Sequence, residues 1–203
     1  MTKKDSTRFY YKRNAQEYFL STYKLELQPL WRKLECRLKL GSLLLDLGSG
    51  SGRDLQHFSS NGHHVVGLDY SLELLKLAKV YTGLSVVCAD FSNLPFGDDT
   101  FDAIWALGTL LHVTHHDLPT VLSELHRVMK TNAVLFTAMK VGTGEEFDTL
   151  GRYNVYYSPK EWNGILEKNK FDTLETEVVT EYREIPLGDH HQIEWIVSIF
   201  EST

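Results

Sequence analysis

A short apolar run that leads directly into three closely spaced glycines limits the possible folds of this chain most. Residues 43–47 read Leu-Leu-Leu-Asp-Leu, a pattern typical of a strand buried on both faces of a parallel sheet. Gly48, Gly50 and Gly52 follow, and an amphipathic segment begins at once. Glycines let a backbone approach a ligand closely, and a helix start presents free N–H groups to an anion. The Gly-x-Gly-x-Gly spacing departs from the dinucleotide fingerprint Gly-x-Gly-x-x-Gly, so it disfavours a dehydrogenase.

Strand-like and helical segments alternate after the glycines. The predicted strands that follow are residues 64–69, 84–89, 101–107 and 133–139. Such an alternation predicts right-handed crossovers and a parallel sheet with helices packed on its faces, which is an α/β fold.

Four segments in this order resemble the class I S-adenosylmethionine-dependent methyltransferases, in particular a small single-domain bacterial-type subgroup. They are residues 43–54, residues 86–91 with Leu-Pro-Phe at 94–96, residues 101–106 and residues 122–130. The resemblance covers residues 8–203, but Thr-Asn-Ala at 131–133 replaces the usual Pro-Gly-Gly. It implies a doubly wound, Rossmann-like sheet of seven mostly parallel strands. It also implies an N-terminal helical cap and an antiparallel C-terminal hairpin formed by strands at 172–180 and 192–200.

A chain of 203 residues fits a single domain. Within it, we predict a helical cap (1–40), a cofactor-binding core (41–140), a loop that is a candidate substrate lid (141–157), and a C-terminal helix and hairpin (158–203). The more local predictions are a frayed start at residues 1–8, helices at 14–21 and 27–38, a turn at 186–189, and a buried thiol at Cys88 in a central strand.

The family resemblance implies S-adenosylmethionine as cofactor and S-adenosylhomocysteine as product. The three glycines suit the methionine end, and Asp69 suits the two ribose hydroxyls. A second group of residues suits the adenine: Tyr70 against the ring, Asp90 for its exocyclic amine, and Phe91 as an apolar wall. Leu107, at the end of the fourth strand, is a further predicted cofactor-binding residue.

Two charged residues flank the glycine loop. Asp46 is predicted to accept backbone N–H bonds that shape the loop. Arg53 has two possible partners, the carboxylate of the cofactor or Asp54 on the surface.

The acceptor side is predicted from the N-terminal segment and from the loop after the fourth strand. Tyr11 and Tyr18 match a family segment that folds over the cofactor, although Lys12 stands where Asp is usual. They are candidate catalytic lid residues, or aromatic packing at the sheet edge. His112 is a candidate general base near neutral pH, or a structural histidine that hydrogen-bonds the loop.

Three residues are predicted to contact the methyl acceptor. Trp105 is placed at the end of the fourth strand, and Arg152 and Tyr156 are placed in the candidate lid. A guanidinium with tyrosines suits a small acceptor that has a carboxylate or a planar group. Tyr156 has an alternative role as an anchor of the next helix.

Composition excludes several other classes of function. The net charge is −6, which argues against a broad phosphate-binding surface and makes a nucleic acid partner unlikely. Residues 1–40 carry ten Lys or Arg against four Asp or Glu, which indicates a solvated helical face or a patch that steers an anionic substrate. No apolar run reaches the roughly 18 residues of a membrane span, and no metal site is predicted. The N-terminal residues do not resemble a secretory signal, so a cytoplasmic location is expected. We also expect a monomer or a homodimer.

The sequence therefore predicts an enzyme that methylates a small molecule with S-adenosylmethionine. Two alternatives stay open: methylation of protein or RNA, and a non-catalytic partner protein that binds S-adenosylmethionine.

Overall fold

The computed structural model describes residues 3–184 and 190–203, and these form one seven-stranded sheet, one small hairpin and seven helices. The strands are β1 Leu43–Leu47, β2 His64–Asp69, β3 Ser85–Cys88, β4 Phe101–Leu107, β5 Met129–Lys140, β6 Glu145–Phe147, β7 Tyr153–Val155, β8 Phe171–Glu184 and β9 His190–Ser202. The helices are α1 Lys3–Arg13, α2 Ala15–Thr22, α3 Gln28–Glu35, α4 Arg53–Ser60, α5 Leu72–Thr82, α6 Leu118–Val128 and α7 Pro159–Lys168, with a short 3-10 turn at Leu110–His112.

The large sheet has the order β3-β2-β1-β4-β5-β9-β8. The pairs from β3 through to β5 are parallel. The strand β9 is antiparallel to both β5 and β8, so six strands run one way and one runs the other way. The predicted fold class is confirmed, and so is the C-terminal hairpin. The turn predicted at 186–189 lies outside the described residues.

Helices cover both faces of the sheet because the strand residues alternate between two apolar layers. Leu44 packs with Trp31 of α3 and Phe58 of α4 on one face. Leu45 packs on the other face, in the layer that contains Leu125 of α6. The strand β1 is buried on both sides, as its continuous apolar run predicts.

The N-terminal segment corrects the prediction of a frayed start, because helix α1 begins at Lys3. Polar contacts with the β6–β7 hairpin hold this helix in place. The Ser6 hydroxyl donates to the Gly151 carbonyl at 2.6 Å, and the Thr7 hydroxyl accepts from the Tyr153 N–H at 2.9 Å. Tertiary contacts therefore order a stretch that is too polar to predict as a packed helix.

The candidate lid also differs from the prediction of an irregular loop, since its middle forms the antiparallel hairpin β6–β7. The Asp148 carboxylate closes the turn by accepting from the N–H groups of Leu150 and Arg152 at 3.0 and 2.9 Å. Gly151 within the turn has a φ of 77°, a conformation that glycine adopts without strain.

Cys88 is exposed, and the prediction of a buried thiol is wrong. The strand β3 pairs only with β2 and forms the edge of the sheet, so its residues lack the second neighbour that a central strand would have.

Candidate functional site

A cavity of about 910 Å³, including its open mouth, lies at the carboxyl ends of β1, β2 and β4, under the helices α1 and α2. Open α/β sheets bind ligands at this end of the strands. The sequence-predicted residues that line the cavity are Tyr11, Tyr18, Gly48, Gly50, Asp69, Tyr70, Asp90, Phe91, Leu107 and His112.

The glycine loop packs too tightly for side chains. Gly48 has a φ of 76°, and a Cβ there would lie 2.2 Å from the Thr109 hydroxyl oxygen. Gly50 has a φ of 49°, and a Cβ there would lie 3.3 Å from the Tyr18 ring. Gly52 does not line the cavity. Its backbone faces α5, where a Cβ would lie 3.0 Å from the Cβ of Ala78, so Gly52 serves helix packing.

Asp69 braces the glycine loop against the end of β2. Its Oδ2 accepts from the Gly50 N–H at 2.9 Å, and its Oδ1 accepts from the Ser71 N–H at 2.8 Å. Burial raises the pKa of Asp69, while these backbone donors oppose the rise. Each carboxylate oxygen has a second lone pair, so Asp69 can still accept from a ribose hydroxyl.

Tyr70, Asp90 and Arg8 form the opposite wall of the cavity. The Tyr70 hydroxyl donates to Asp90 Oδ2, and the Ser92 N–H and hydroxyl donate to Asp90 Oδ1 at 3.0 and 2.8 Å. The Arg8 guanidinium carbon lies 3.9 Å from the centre of the Tyr70 ring, a cation–π contact. Arg8 was not predicted from the sequence. The polar N-terminal segment contains no motif that would indicate a contact between Arg8 and Tyr70, the residue after β2.

Arg53 pairs with Asp54, which is one of the two partners that the sequence leaves open. Arg53 Nε and Nη2 donate to the two oxygens of Asp54 at 2.9 and 2.7 Å. The pair is not on the surface, since Asp54 is buried. Burial alone would raise the pKa of Asp54, but the Arg53 guanidinium and two tryptophan donors hold it below its ordinary value.

Those two donors are the indole N–H groups of Trp31 and Trp105, at 2.8 and 3.0 Å from Asp54. Trp105 is fully buried and stacks on Phe136 at a centroid distance of 3.9 Å. Its placement near the acceptor is therefore corrected: Trp105 belongs to the core behind the glycine loop. A strand with alternating layers turns this side chain away from the cavity.

Asp46 lies under the loop in a buried position. It accepts from the Leu55 N–H at the start of α4, while its Oδ2 has no hydrogen-bond partner. Burial raises the pKa of Asp46 well above its ordinary value, and the nearby Asp54 carboxylate raises it further.

Tyr11 and His112 meet at the cap side of the cavity. The Tyr11 hydroxyl lies 3.1 Å from His112 Nε2, and His112 Nδ1 lies 2.6 Å from the Tyr153 carbonyl oxygen. The rings of Tyr11 and Tyr18 pack edge to face at 5.1 Å. Burial raises the pKa of both tyrosines and lowers the pKa of His112 to about 4.

Arg152 and Tyr156 are not among the residues that line this cavity. Arg152 Nε and Nη2 lie 2.8 and 2.7 Å from Asp148 Oδ2, and its Nη1 lies 3.5 Å from the Tyr11 hydroxyl. Tyr156 donates to Glu146 at 3.0 Å and lines a separate surface pocket beside α7. Hence Arg152 contacts Tyr11 without lining the cavity, and Tyr156 lies at a different surface.

Among residues 3–184 and 190–203, no group of three or more His, Cys, Asp or Glu side chains is arranged to hold a metal ion. None of the helices within these ranges is long and apolar enough to cross a membrane.

The central part of the chain is similar to known proteins. Residues 45–137 match the family described as "Methyltransferase domain". Demethylmenaquinone methyltransferase of Corynebacterium urealyticum is 36% identical over 112 residues, which make up 54% of this chain and 47% of that protein. The chain thus spans about half the length of the curated relatives it matches.

Two solved structures share the fold. One is an S-adenosylmethionine-dependent methyltransferase from Methanosarcina mazei, with a TM-score of 0.71 and 20% identity, covering 88% of this chain and 99% of that one. The other is 1,6-didemethyltoxoflavin-N1-methyltransferase from Burkholderia thailandensis, with bound 1,6-didemethyltoxoflavin and S-adenosylhomocysteine. Its TM-score is 0.70 and its identity 21%, covering 97% of this chain and 90% of that one.

The sheet order and the cavity at the strand ends define a doubly wound α/β protein of the Rossmann-like class. Residues 45–137 match the methyltransferase domain family, and the described fold is the Rossmann-like fold of the two methyltransferase structures.

Proposed function

We propose that this protein transfers a methyl group from S-adenosylmethionine to a small-molecule acceptor. One observation carries the proposal. The glycine loop, Asp69, Tyr70 and Asp90 come from three separate chain segments and line one cavity under an aromatic cap. That cavity offers a place for each chemical part of the cofactor.

The residues fit the cofactor in kind. Gly48 and Gly50 line the cavity without side chains, so their backbone can approach the methionine end closely. Asp69 suits the ribose diol, and Tyr70 and Asp90 suit the adenine. When bound, S-adenosylmethionine supplies a methyl group on a sulfonium, which is already strongly electrophilic. The chain's own residues then need to orient both reactants and exclude water.

The cap supports a small acceptor better than a macromolecular one. Helix α1 is bonded to the β6–β7 hairpin by Ser6 and Thr7 and contacts Tyr70 through Arg8. It covers the cavity between these attachments. The aromatic pair Tyr11 and Tyr18 suits a planar group. The Asp148 carboxylate already occupies Arg152 Nε and Nη2, so the geometry favours a planar acceptor over one anchored by a carboxylate.

Calorimetry with S-adenosylhomocysteine tests the cofactor assignment. We expect binding to the unmodified chain and a more than tenfold weaker affinity for Asp69→Ala, about 1.4 kcal/mol, because charge-assisted hydrogen bonds are lost. Glu73→Ala, in the first turn of α5, is the matched control and should bind normally. Equal affinities for all three proteins would refute the ribose role of Asp69.

Transfer of a labelled methyl group tests the activity. The chain is incubated with labelled S-adenosylmethionine and a panel of planar small metabolites, a total RNA sample and a protein extract. Label in the small-molecule fraction supports the proposal, and label in RNA or protein supports the first alternative. S-adenosylhomocysteine binding without transfer to any fraction would indicate a non-catalytic partner protein.

A further inference from the structure

We infer that His112 positions the Tyr11 hydroxyl and takes no proton from the acceptor, and that the acceptor is already a nucleophile at neutral pH when it enters. This excludes aliphatic alcohols and ammonium groups. It leaves acceptors such as an ionised acidic phenol or enol, a carboxylate, or an unprotonated ring nitrogen. The inference rests on the proposed methyl transfer and narrows its substrate class.

The hydrogen bonds of His112 fix its tautomer. A carbonyl oxygen can only accept, so the 2.6 Å contact with the Tyr153 carbonyl requires a proton on Nδ1. In the neutral ring Nε2 then carries the lone pair, and the Tyr11 hydroxyl at 3.1 Å donates to it. Both ring nitrogens are engaged, and neither is left to accept a proton directly from a substrate.

The surroundings oppose a positive charge on His112. The charged and titratable groups that face it are Tyr11 from α1, Lys140 from β5, and Arg152 and Asp148 from the hairpin. Burial is the main cause that lowers the pKa of His112 to about 4, and Arg152 and Lys140 lower it further, against the Tyr153 carbonyl and Asp148. A general base works best with a pKa near the working pH.

The two tyrosines at this end of the cavity do not replace His112. Burial raises the pKa of Tyr11 and Tyr18, so both phenols stay protonated at neutral pH. Asp117 lines the cavity at the start of α6, where it accepts from the Thr114 hydroxyl at 2.9 Å. Asp69 and Asp90 hold the cofactor half of the cavity.

The transfer then balances without a proton acceptor from the protein. A lone pair of the acceptor forms the bond to the methyl carbon, and the electron pair of the breaking carbon–sulfur bond returns to sulfur. An anionic acceptor becomes neutral, and the sulfonium becomes a neutral thioether. A neutral ring nitrogen would instead become positively charged.

Nitrogen-15 NMR of the histidine rings in the complex with S-adenosylhomocysteine tests the inference. His112 is assigned by the signal missing in His112→Gln. We expect a neutral Nδ1–H tautomer that does not titrate between about pH 5.5 and 8.5, across the ordinary histidine range. Titration of His112 within that range would overturn the inference. Failure of S-adenosylhomocysteine to bind would count against the proposed function instead.

A mutant cycle tests the positioning role. Tyr11→Phe and His112→Leu should each weaken S-adenosylhomocysteine binding about threefold to tenfold, and the double variant should bind no more weakly than either one. His112→Gln, which can both donate and accept, should recover most of the affinity. Additive losses without recovery would overturn the positioning role. Methyl transfer to an aliphatic alcohol at neutral pH would overturn the substrate class.

Discussion

Asp54 holds the cap helix α3, the loop helix α4 and the strand β4 together at one buried carboxylate. Four donor groups reach it, from Arg53, Trp31 and Trp105. Removal of one partner from a buried, hydrogen-bonded ion pair leaves an uncompensated charge in the core.

Asp54→Ala should therefore lower the free energy of unfolding by roughly 3–5 kcal/mol, as measured by urea denaturation. The matched control is Asp98→Ala, which removes a carboxylate that pairs with Arg127 at 2.8 Å but has 72% of its side chain exposed. A surface pair of this kind contributes about 0–1 kcal/mol. Equal losses for the two variants would show that burial does not decide the strength of the Asp54 pair.

The raised pKa of Asp46 predicts that stability depends on pH with the opposite sign to that of an ordinary paired carboxylate. Its folded-state pKa is raised by burial and by Asp54, so the folded protein holds a proton that the unfolded chain releases. Its stabilising contribution is present below the unfolded pKa, roughly 3.9, and is lost as pH rises through the folded value.

Asp46→Asn removes this titration. The variant should therefore gain stability over the unmodified chain as pH rises from about 4 to neutral, in urea unfolding at several pH values. A stability difference that stays constant over that range would contradict the raised pKa of Asp46.

At the residue scale, the sequence predicted which positions lie at the strand ends better than it predicted what each side chain contacts. Gly48 and Asp69 follow from strand and turn spacing, and both line the cavity. Trp105 was placed near the acceptor, because a position near the end of a strand does not tell which face of the sheet a side chain occupies. The assignment of roles toward a bound cofactor or acceptor stays a prediction.

Among the elements, the turn between β1 and α4 depends on its contact with the segment after β4. Gly48 and Gly83 both have positive φ, 76° and 71°. A Cβ at Gly48 would overlap the Thr109 side chain, whereas a Cβ at Gly83 meets nothing within 4 Å.

Gly48→Ala should thus abolish measurable S-adenosylhomocysteine binding, because the loop must move away from Thr109. Gly83→Ala carries similar backbone strain, about 1 kcal/mol, and should bind normally. Calorimetry on both variants, with circular dichroism to check folding, makes the comparison. Normal binding by Gly48→Ala would show that the loop does not form the binding site.

Helix α1 and the β6–β7 hairpin were the elements least accessible from sequence. Both are polar and short, and α1 and β6–β7 order each other through Ser6, Thr7 and Tyr153. Contacts between segments some 145 residues apart leave no local periodicity. The strands β1, β2 and β4 were predicted within a residue or two, because their burial on both faces produces continuous apolar runs.

For the molecule as a whole, ligand binding and unfolding are linked. At a ligand concentration about 100 times the dissociation constant, binding adds roughly 2.7 kcal/mol to the free energy of unfolding. In a domain of this size each kcal/mol raises the melting temperature by about 2–4 °C.

We therefore expect S-adenosylhomocysteine to raise the melting temperature by roughly 5–10 °C, in a thermal scan followed by circular dichroism. Adenosine without the amino-acid part should produce a smaller rise, because it leaves the glycine loop without a ligand. An unchanged melting temperature at saturating S-adenosylhomocysteine would contradict the cofactor assignment.

The overall topology could be predicted because four motifs occur in a fixed order along one chain. The register and the edge position of each strand could not, because pairing depends on how distant segments meet. Cys88 shows this limit. Its apolar surroundings in the sequence resemble those of an interior strand, but β3 ends the sheet.

That edge position gives the Cys88 thiol a practical use. Its sulfur lies 3.6 Å from the carbonyl oxygen of Tyr70, directly behind the wall assigned to the nucleobase. The chain has two cysteines, so Cys36→Ser would leave one attachment point for a fluorescent dye. Such a labelled protein would report occupancy of the neighbouring pocket optically, in real time and without knowledge of the acceptor.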